Sequence, residues 1–118
     1  MTSKDRNILE HILMRCNRIN DYIGQFDGSY EAFISNAMFY DAVSMNIFQI
    51  GELSHNLSNE FKDSTRQSIP WKQMYDMRCH FAHGYDTMTD KLIWYTAIND
   101  IPVLKRFCEE RLSKSESE

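Results

Sequence analysis

Long apolar runs are missing from this sequence. No stretch approaches the roughly 20 residues that span a bilayer. The opening residues, MTSKDRNILE, also lack the apolar segment of a secretory signal peptide. These absences predict a cytoplasmic protein that does not act at a membrane.

Cysteine is scarce, and its pattern excludes two common kinds of site. The chain has three cysteines, Cys16, Cys79 and Cys108, an odd number without a C-x-x-C pair. Structural disulfides and a zinc site are therefore not expected. His80 and His83 share a helix face, but two histidines without an acidic residue at ligand spacing are a weak metal signal. We predict no metal and no other cofactor.

Positive charge is also in short supply, because the net charge is −4. Proteins that follow many phosphates use clusters of lysine and arginine, so an extended nucleic-acid-binding face is not predicted. The balance differs locally. Residues 62–85 contain four Lys or Arg against two Asp, a local excess of two positive charges. A small anion site is therefore expected in this segment.

Alternation with period two is absent, so no sheet is predicted, and helical periodicity takes its place. Apolar residues recur every three or four positions along 4–25 and along 36–61, which predicts two amphipathic helices. The turn sequence QFDGSY ends the first, and a short helical turn at 30–34 precedes the second. The polar stretch KDSTRQSIP is read as a connector.

The second half of the chain predicts two further helices. One begins with Pro70 in its first turn, capped by Ser68 or Ile69, and stops at Gly84. The other covers 89–112 and begins at a capping box or a plain threonine cap in TMTD. Pro102 lies inside it and predicts a kink or break near Asn99 to Ile101.

These elements predict one all-α domain, residues 1–112, followed by a disordered tail at 113–118. The expected architecture is an antiparallel helical bundle of four main helices plus a short helical turn, because the connectors are short.

The stretch MRCHFAHGYD, residues 77–86, concentrates the chemically capable side chains. Arg78 provides a permanently charged fork that fits a phosphate, and His83 can move protons near neutral pH. Together they suffice for attack by an RNA 2′-hydroxyl on its adjacent phosphate without a metal. The two residues lie about 140° apart around a helix, so within one chain they can meet only if the helix end bends or the long arginine reaches around. A two-fold dimer is a more natural way to bring them into one cleft.

A structural interpretation of the same stretch stays open. A histidine near a helix C-terminus interacts favourably with the helix dipole, and Arg78 could pair with Glu52 or Asp86 without any catalytic purpose. Chemistry alone therefore leaves both an active site and a polar helix end possible.

The arrangement R-x4-H-x-Y, with Arg78, His83 and Tyr85 at its positions, resembles the motif of HepT-like proteins of the HEPN superfamily. The flanking sequence resembles the family over about residues 5–112. FQIGELSHNLSNEF looks like its IGE-containing helix, and IPWKQMYDMRCHFAHGYD like its motif helix. LIWYTAINDIPVL is similar to the last helix, which carries a proline after a D-I or D-L pair.

The resemblance implies a homodimer with the motif helices at its interface, acting as the ribonuclease toxin of a toxin–antitoxin pair. It also implies a partner, a minimal nucleotidyltransferase (MNT) antitoxin, which can transfer AMP to the motif tyrosine. On this sequence Arg78 would stabilise phosphate charge, His83 would be the acid and base, and Tyr85 would be modified. An alternative from another class is a non-catalytic subunit that binds nucleotide and presents substrate or a tyrosine to the nucleotidyltransferase.

The sequence departs from the family pattern at Cys79, where relatives commonly have Asn or another polar residue. A thiol is a poor hydrogen-bond donor, so the relatives' side-chain contact is weakened here unless His80 replaces it.

Upstream of the motif, Gly51 lies inside a predicted helix, where it costs about 1 kcal/mol relative to Ala, so we expect a close approach by another element. Glu52 either orients Arg78 or His83 or is a solvated helix residue, and His55 is a weaker site candidate. The large aromatic residues fit core or dimer packing better than base stacking: Trp71, Phe81, Trp94 and Tyr95.

Overall fold

A computed structural model describes the backbone of residues 1–83 and 89–117 and the side chains of residues 1–79 and 89–114. Within these ranges every regular element is helical, which confirms the all-α fold class. None of the described helices is both long enough and apolar enough to cross a membrane. The helices are α1 (Ser3–Gln25), α2 (Tyr30–Ser35), α3 (Ala37–His55), α4 (Asn59–Thr65), α5 (Trp71–His83), α6 (Asp90–Tyr95) and α7 (Ile101–Ser117).

The predicted first helix and the turn after it are both confirmed. Thr2 caps α1, because its side chain accepts a hydrogen bond from the backbone N–H of Asp5 at 3.0 Å. After α1 the chain turns at Asp27 and Gly28, which have φ angles of 54° and 68°. This left-handed pair is the turn chemistry that QFDGSY predicted. The short helix α2 follows, also as predicted.

The prediction of one long helix over 36–61 is wrong, because the chain leaves helical geometry between α3 and α4. Ser58 is extended, and its hydroxyl accepts from the N–H of Phe61 at 3.2 Å as the cap of α4. The N–H and hydroxyl of Ser58 also donate to the carboxylate of Asp5, at 2.8 and 2.6 Å. These hydrogen bonds to α1 stabilise the break between α3 and α4. Helix α4 consequently takes up the first half of the stretch read as a connector.

Helix α5 begins directly after Pro70, whose carbonyl accepts the first helical bond from Met74 at 3.1 Å. Pro70 therefore occupies the cap position, and the prediction of Ser68 or Ile69 as the cap is wrong. The last helical residue is His83. The predicted stop at Gly84 lies outside the described residues.

The predicted break near Pro102 is confirmed as a change of helix type. Thr89 caps α6 as a plain threonine cap, accepting from the N–H of Leu92 at 3.1 Å. A π-helical turn, Thr96–Asp100, then joins α6 to α7, and the N–H of Ile101 donates to the carbonyl of Thr96, five residues back. Helix α7 runs through Ser117, so helix extends into the segment that was expected to be a disordered tail.

One apolar core joins the helices, with α1 packed on α3 and α7, and α3 packed on α5. Trp71 is buried and Trp94 packs against the core, as predicted. Tyr95 is 58% exposed, so it does not pack in the core, and its packing in a dimer stays a prediction. The side chain of Phe81 lies outside the described residues. The three cysteines are free. Burial raises the pKa of Cys108 to about 12 and also raises that of Cys16, so both core thiols stay protonated.

Candidate functional site

The candidate site lies where α3 and α5 pack, and a glycine sets their separation. A Cβ atom added to Gly51 would lie 2.6 Å from the Cβ of Arg78 and 3.0 Å from the carbonyl oxygen of Met74. Both atoms are fixed to the backbone of α5 and cannot turn aside. The close approach expected at Gly51 is therefore present, and it is made by the helix that carries Arg78.

Arg78 is held by the side chain next to that glycine. Its Nε forms an ion pair with Oε1 of Glu52, and both contacting atoms are buried. The two side chains as a whole are 24% and 33% exposed. The pair uses Nε, whereas a guanidinium carries four further N–H donors on its terminal nitrogens. Glu52 can thus fix the direction of Arg78 without using its whole capacity for an anion.

Aromatic rings flank the same guanidinium. Its central carbon lies 5.2 Å from the ring centroid of Phe48 and 5.9 Å from that of Tyr75, within the range of cation–π attraction. Arg78 is therefore positioned by one carboxylate and two rings. A pre-positioned arginine loses less side-chain entropy when it binds a phosphate than a freely moving one does.

Tyr75 connects this cluster to two further side chains. Its ring stacks on His55, with centroids 3.9 Å apart and planes inclined by 15°. A hydrogen bond between the Tyr75 hydroxyl and the Cys79 thiol is the main cause that raises the pKa of Tyr75, followed by the charge that the thiol can carry. Cys79, the departure from the family pattern, thus has a specific contact within its own helix.

The structure brings some predicted site residues together and leaves others undescribed. Glu52 meets Arg78, while His55 and Cys79 both contact Tyr75. The side chains of His80 and His83, and Tyr85 and Asp86 altogether, lie outside the described residues. Their roles, and the cleft between two copies of the chain, stay predictions.

Phe48 and Tyr75 belong to this cluster but were missed in the sequence. A signal was available, because Phe48, Glu52 and His55 are spaced by four and three residues and so share one face of α3. Tyr75 shares a face of α5 with Arg78 and Cys79 by the same rule. Both rings are therefore found among the residues that share a helix face with Glu52 or Arg78.

A separate apolar groove of about 500 Å³ is formed by α3, α5, the π-helical turn and α7. It uses the Met74 and Met77 side of α5, and Asp76 and Asp100 are its charged lining residues in the part of the chain that the structure describes. Burial raises the pKa of Asp100. This lining offers little to a phosphate, and no described group of three or more His, Cys, Asp or Glu side chains is arranged to hold a metal ion.

Comparison with known proteins points in one direction. The family described as "Ribonuclease HepT-like" matches residues 12–111. A protein of Caldanaerobacter subterraneus subsp. tengcongensis, provisionally named an RNase, is 31% identical over 109 residues, which cover 92% of this chain and 95% of that protein.

Two archaeal relatives cover similar lengths. One from Methanocaldococcus jannaschii, also provisionally named an RNase, is 30% identical across 92% of this chain and 98% of its own. One from Thermococcus cleftensis, named a probable ribonuclease HepT, is 30% identical across 89% and 93%. No solved structure matches the chain.

Proposed function

Because the chain belongs to the HepT-like family of ribonucleases, we propose that it is an RNA endonuclease that cleaves through the substrate 2′-hydroxyl without a metal. The observation that carries this proposal is the positioned Arg78, which Glu52 holds across the close approach at Gly51. A fixed cation at a partly exposed site is what a negatively charged phosphate transition state requires.

The proposed reaction needs two groups. His83 takes the proton from the 2′-hydroxyl, whose oxygen then attacks the neighbouring phosphorus, and the bond from phosphorus to the 5′-oxygen breaks. Protonated His83 then gives a proton to the leaving 5′-oxygen, and the other product ends in a 2′,3′-cyclic phosphate. Arg78 offsets the charge that grows on the phosphate oxygens. DNA, which has no 2′-hydroxyl, is excluded by chemistry.

The test uses purified protein and a labelled single-stranded RNA in EDTA. Cleavage that leaves a 2′,3′-cyclic phosphate is expected, and His83→Ala is expected to abolish it. Equal cleavage by His83→Ala would remove His83 from the mechanism. Strict dependence on added magnesium would reject the metal-free reaction.

We further propose that the chain is the toxin of a toxin–antitoxin pair, acts as a homodimer and is neutralised by an MNT-type nucleotidyltransferase that transfers AMP to Tyr85. An adenylyl group adds bulk and a negative phosphate, which would compete with RNA for Arg78. Mass spectrometry after co-expression tests the modification. An adduct confined to tyrosines other than Tyr85 would reject this assignment.

One observation favours the non-catalytic alternative. Cys79 replaces the polar residue common in the family, and its contact is with Tyr75 inside α5. As a binding subunit, the chain would use Arg78 to hold a nucleotide phosphate and present it to the nucleotidyltransferase. Expression without the partner separates the two functions. Growth arrest that Arg78→Ala relieves supports the toxin, and harmless expression supports the binding subunit.

A further inference from the structure

The stacked rings of His55 and Tyr75 stand beside the arginine that is proposed to hold phosphate. We propose that these two rings form a base-stacking platform, which binds the RNA nucleotide next to the phosphate at Arg78. This inference deepens the proposed function and rests on it. It makes His55 and Tyr75 substrate-binding residues of that site.

The position of the pair favours a ligand over core packing. His55 is exposed and Tyr75 is half-buried, and neither belongs to the apolar core of the described residues. Parallel stacking also occurs inside the core, where Phe26 stacks on the buried Phe39, so it is the surface position that distinguishes His55 and Tyr75. A nearly parallel stack at the surface leaves ring area accessible to a flat ligand.

Distance links the platform to the phosphate site. The Tyr75 ring centroid lies 5.9 Å from the guanidinium carbon of Arg78, and the His55 centroid lies a further 3.9 Å from that of Tyr75. A base and its own phosphate are separated by one sugar, a spacing of the same order. A nucleotide whose phosphate sits at Arg78 can therefore reach these rings with its base or with the neighbouring one.

The chemistry fits single-stranded RNA. Unpaired RNA bases are commonly bound by stacking on tyrosine, histidine and arginine planes, and every base offers a flat face. Stacking of this kind strengthens binding without selecting one base. Cys79 lies one helical turn beyond Tyr75 on the same face of α5. In this interpretation Cys79 serves the platform instead of the relatives' polar contact.

The test measures RNA binding separately from cleavage. All variants are made in a His83→Ala background, and fluorescence anisotropy follows binding of a fluorescein-labelled single-stranded RNA of mixed sequence in EDTA. Tyr75→Ala and His55→Ala are each expected to raise Kd about tenfold, the usual effect of losing one stacking ring. Tyr75→Phe keeps the ring and should retain most of the affinity. Tyr95→Ala is the matched control, because it removes an exposed tyrosine from α6.

An RNA with abasic nucleotides in place of its bases sharpens the result. The protein that retains Tyr75 should bind this abasic RNA more weakly than the complete RNA. The Tyr75→Ala protein should bind both RNAs with the same Kd. Binding by both Tyr75→Ala and His55→Ala as tight as that of Tyr95→Ala would overturn the platform. If Tyr75→Ala does not fold, judged by its thermal unfolding, the exposed His55 decides the question alone.

The same measurements separate this inference from the proposed function. Cleavage by protein with His83 intact, together with unchanged Kd in the ring variants, would reject the platform and leave the endonuclease standing. Absence of cleavage, together with a raised Kd in the ring variants, would reject the endonuclease and keep the platform as an RNA-binding surface.

Discussion

Two carboxylates hold helices together in different regions of this molecule, and their surroundings differ. Asp5 on α1 is 1% exposed and accepts hydrogen bonds from the backbone and hydroxyl of Ser58, which are neutral groups. Glu52 on α3 is one-third exposed and pairs with the cation Arg78. The first contact satisfies buried polar groups and starts a helix. The second holds a charged group at a partly exposed surface, where the proposed RNA substrate would bind.

This difference predicts that one contact supports folding and the other supports chemistry. Losing a buried partner leaves polar atoms unsatisfied, which costs stability directly. Losing half of the Arg78–Glu52 pair should cost less stability, because the two side chains are a quarter to a third exposed and the charge that remains can turn towards water. Variants at the two regions should therefore fail in different assays.

Arg78→Ala is expected to have the largest effect, a fall in the RNA cleavage rate of about 100- to 1,000-fold, because one charge-stabilising group is lost. The unfolding temperature should change little. Arg111→Ala is the matched control, since Arg111 also lies over a phenylalanine ring, 5.4 Å from the centroid of Phe107. Single-turnover cleavage measures the effect. Equal losses in the two variants would contradict the assigned role.

Gly51→Ala is expected to disturb both properties, because its methyl group meets α5 where neither partner atom can move aside. Overpacking of this kind costs about 1 to 3 kcal/mol of unfolding free energy, and cleavage should fall as Arg78 is displaced. Gly24→Ala is the control, because nothing lies within 4 Å of the added carbon. That helical substitution should stabilise by about 0.5 to 1 kcal/mol. Urea unfolding measures both changes. If the unfolding free energy changed in the same direction in Gly51→Ala and Gly24→Ala, the role assigned to Gly51 would be refuted.

Asp5→Asn is expected to lower the unfolding free energy by about 1 to 3 kcal/mol, because a buried donor of Ser58 loses its acceptor. Cleavage per folded molecule should stay unchanged. Asp21→Asn, at an exposed position of the same helix, is the control. If Asp5→Asn lost activity without losing stability, Asp5 would support chemistry instead of folding, which would contradict this comparison.

Acid should act through the same carboxylate. Burial raises the pKa of Asp5, but the hydrogen bonds from Ser58, together with those of Thr2 and the charge of Lys4, lower it more, so the pKa lies below its ordinary value of 3.8. A lowered folded-state pKa adds stability above pH 3.8, and that stability is lost as pH falls through the folded-state pKa. Wild-type protein should lose more unfolding free energy below about pH 4 than Asp5→Asn does. Parallel curves of unfolding free energy against pH for the wild-type and Asp5→Asn proteins would contradict this prediction.

Glu52→Gln is expected to have the smallest effect. The amide can still lie beside Nε of Arg78, but the negative charge of the ion pair is lost, a difference of about 1 kcal/mol for a partly exposed pair. Cleavage should fall about fivefold, and the unfolding temperature should hardly move. A large loss of stability in Glu52→Gln would make the two carboxylates alike and remove the distinction between the regions.

Helix positions and inward faces could be read from the sequence because apolar spacing is a local signal. Ile93, Ala97, Ile101, Leu104 and Cys108 recur at spacings of three and four along the predicted helix 89–112, and all are buried. The break at Ser58 could not be read in this way. Apolar spacing continues through Leu57 and Phe61, and the reason for the break is Asp5, which lies 53 residues away in the sequence.

The site was readable to a similar degree. The motif located Arg78, and the helical glycine indicated a close approach at Gly51. The sequence did not decide whether Glu52 orients another side chain or is solvated, because only tertiary packing decides it. Tyr75 was not considered, since its contacts with His55 and Cys79 combine an interhelical stack with a bond inside α5.

The π-helical turn before Pro102 sets the rotational phase of the last helix. Each residue of an α-helix rotates the chain by about 100°, and a π-helical turn takes in one residue more than an α-helical turn, so the turn absorbs an extra residue while Ile93, Ala97 and Ile101 all stay buried in the same core. Deleting one residue from Thr96–Asp100 would leave both helices able to form. It would remove the residue that the wider turn absorbs, so an α-helix could run through the segment with Leu104 and Cys108 still on the side of Ile93; the segment can therefore tolerate the loss of one residue.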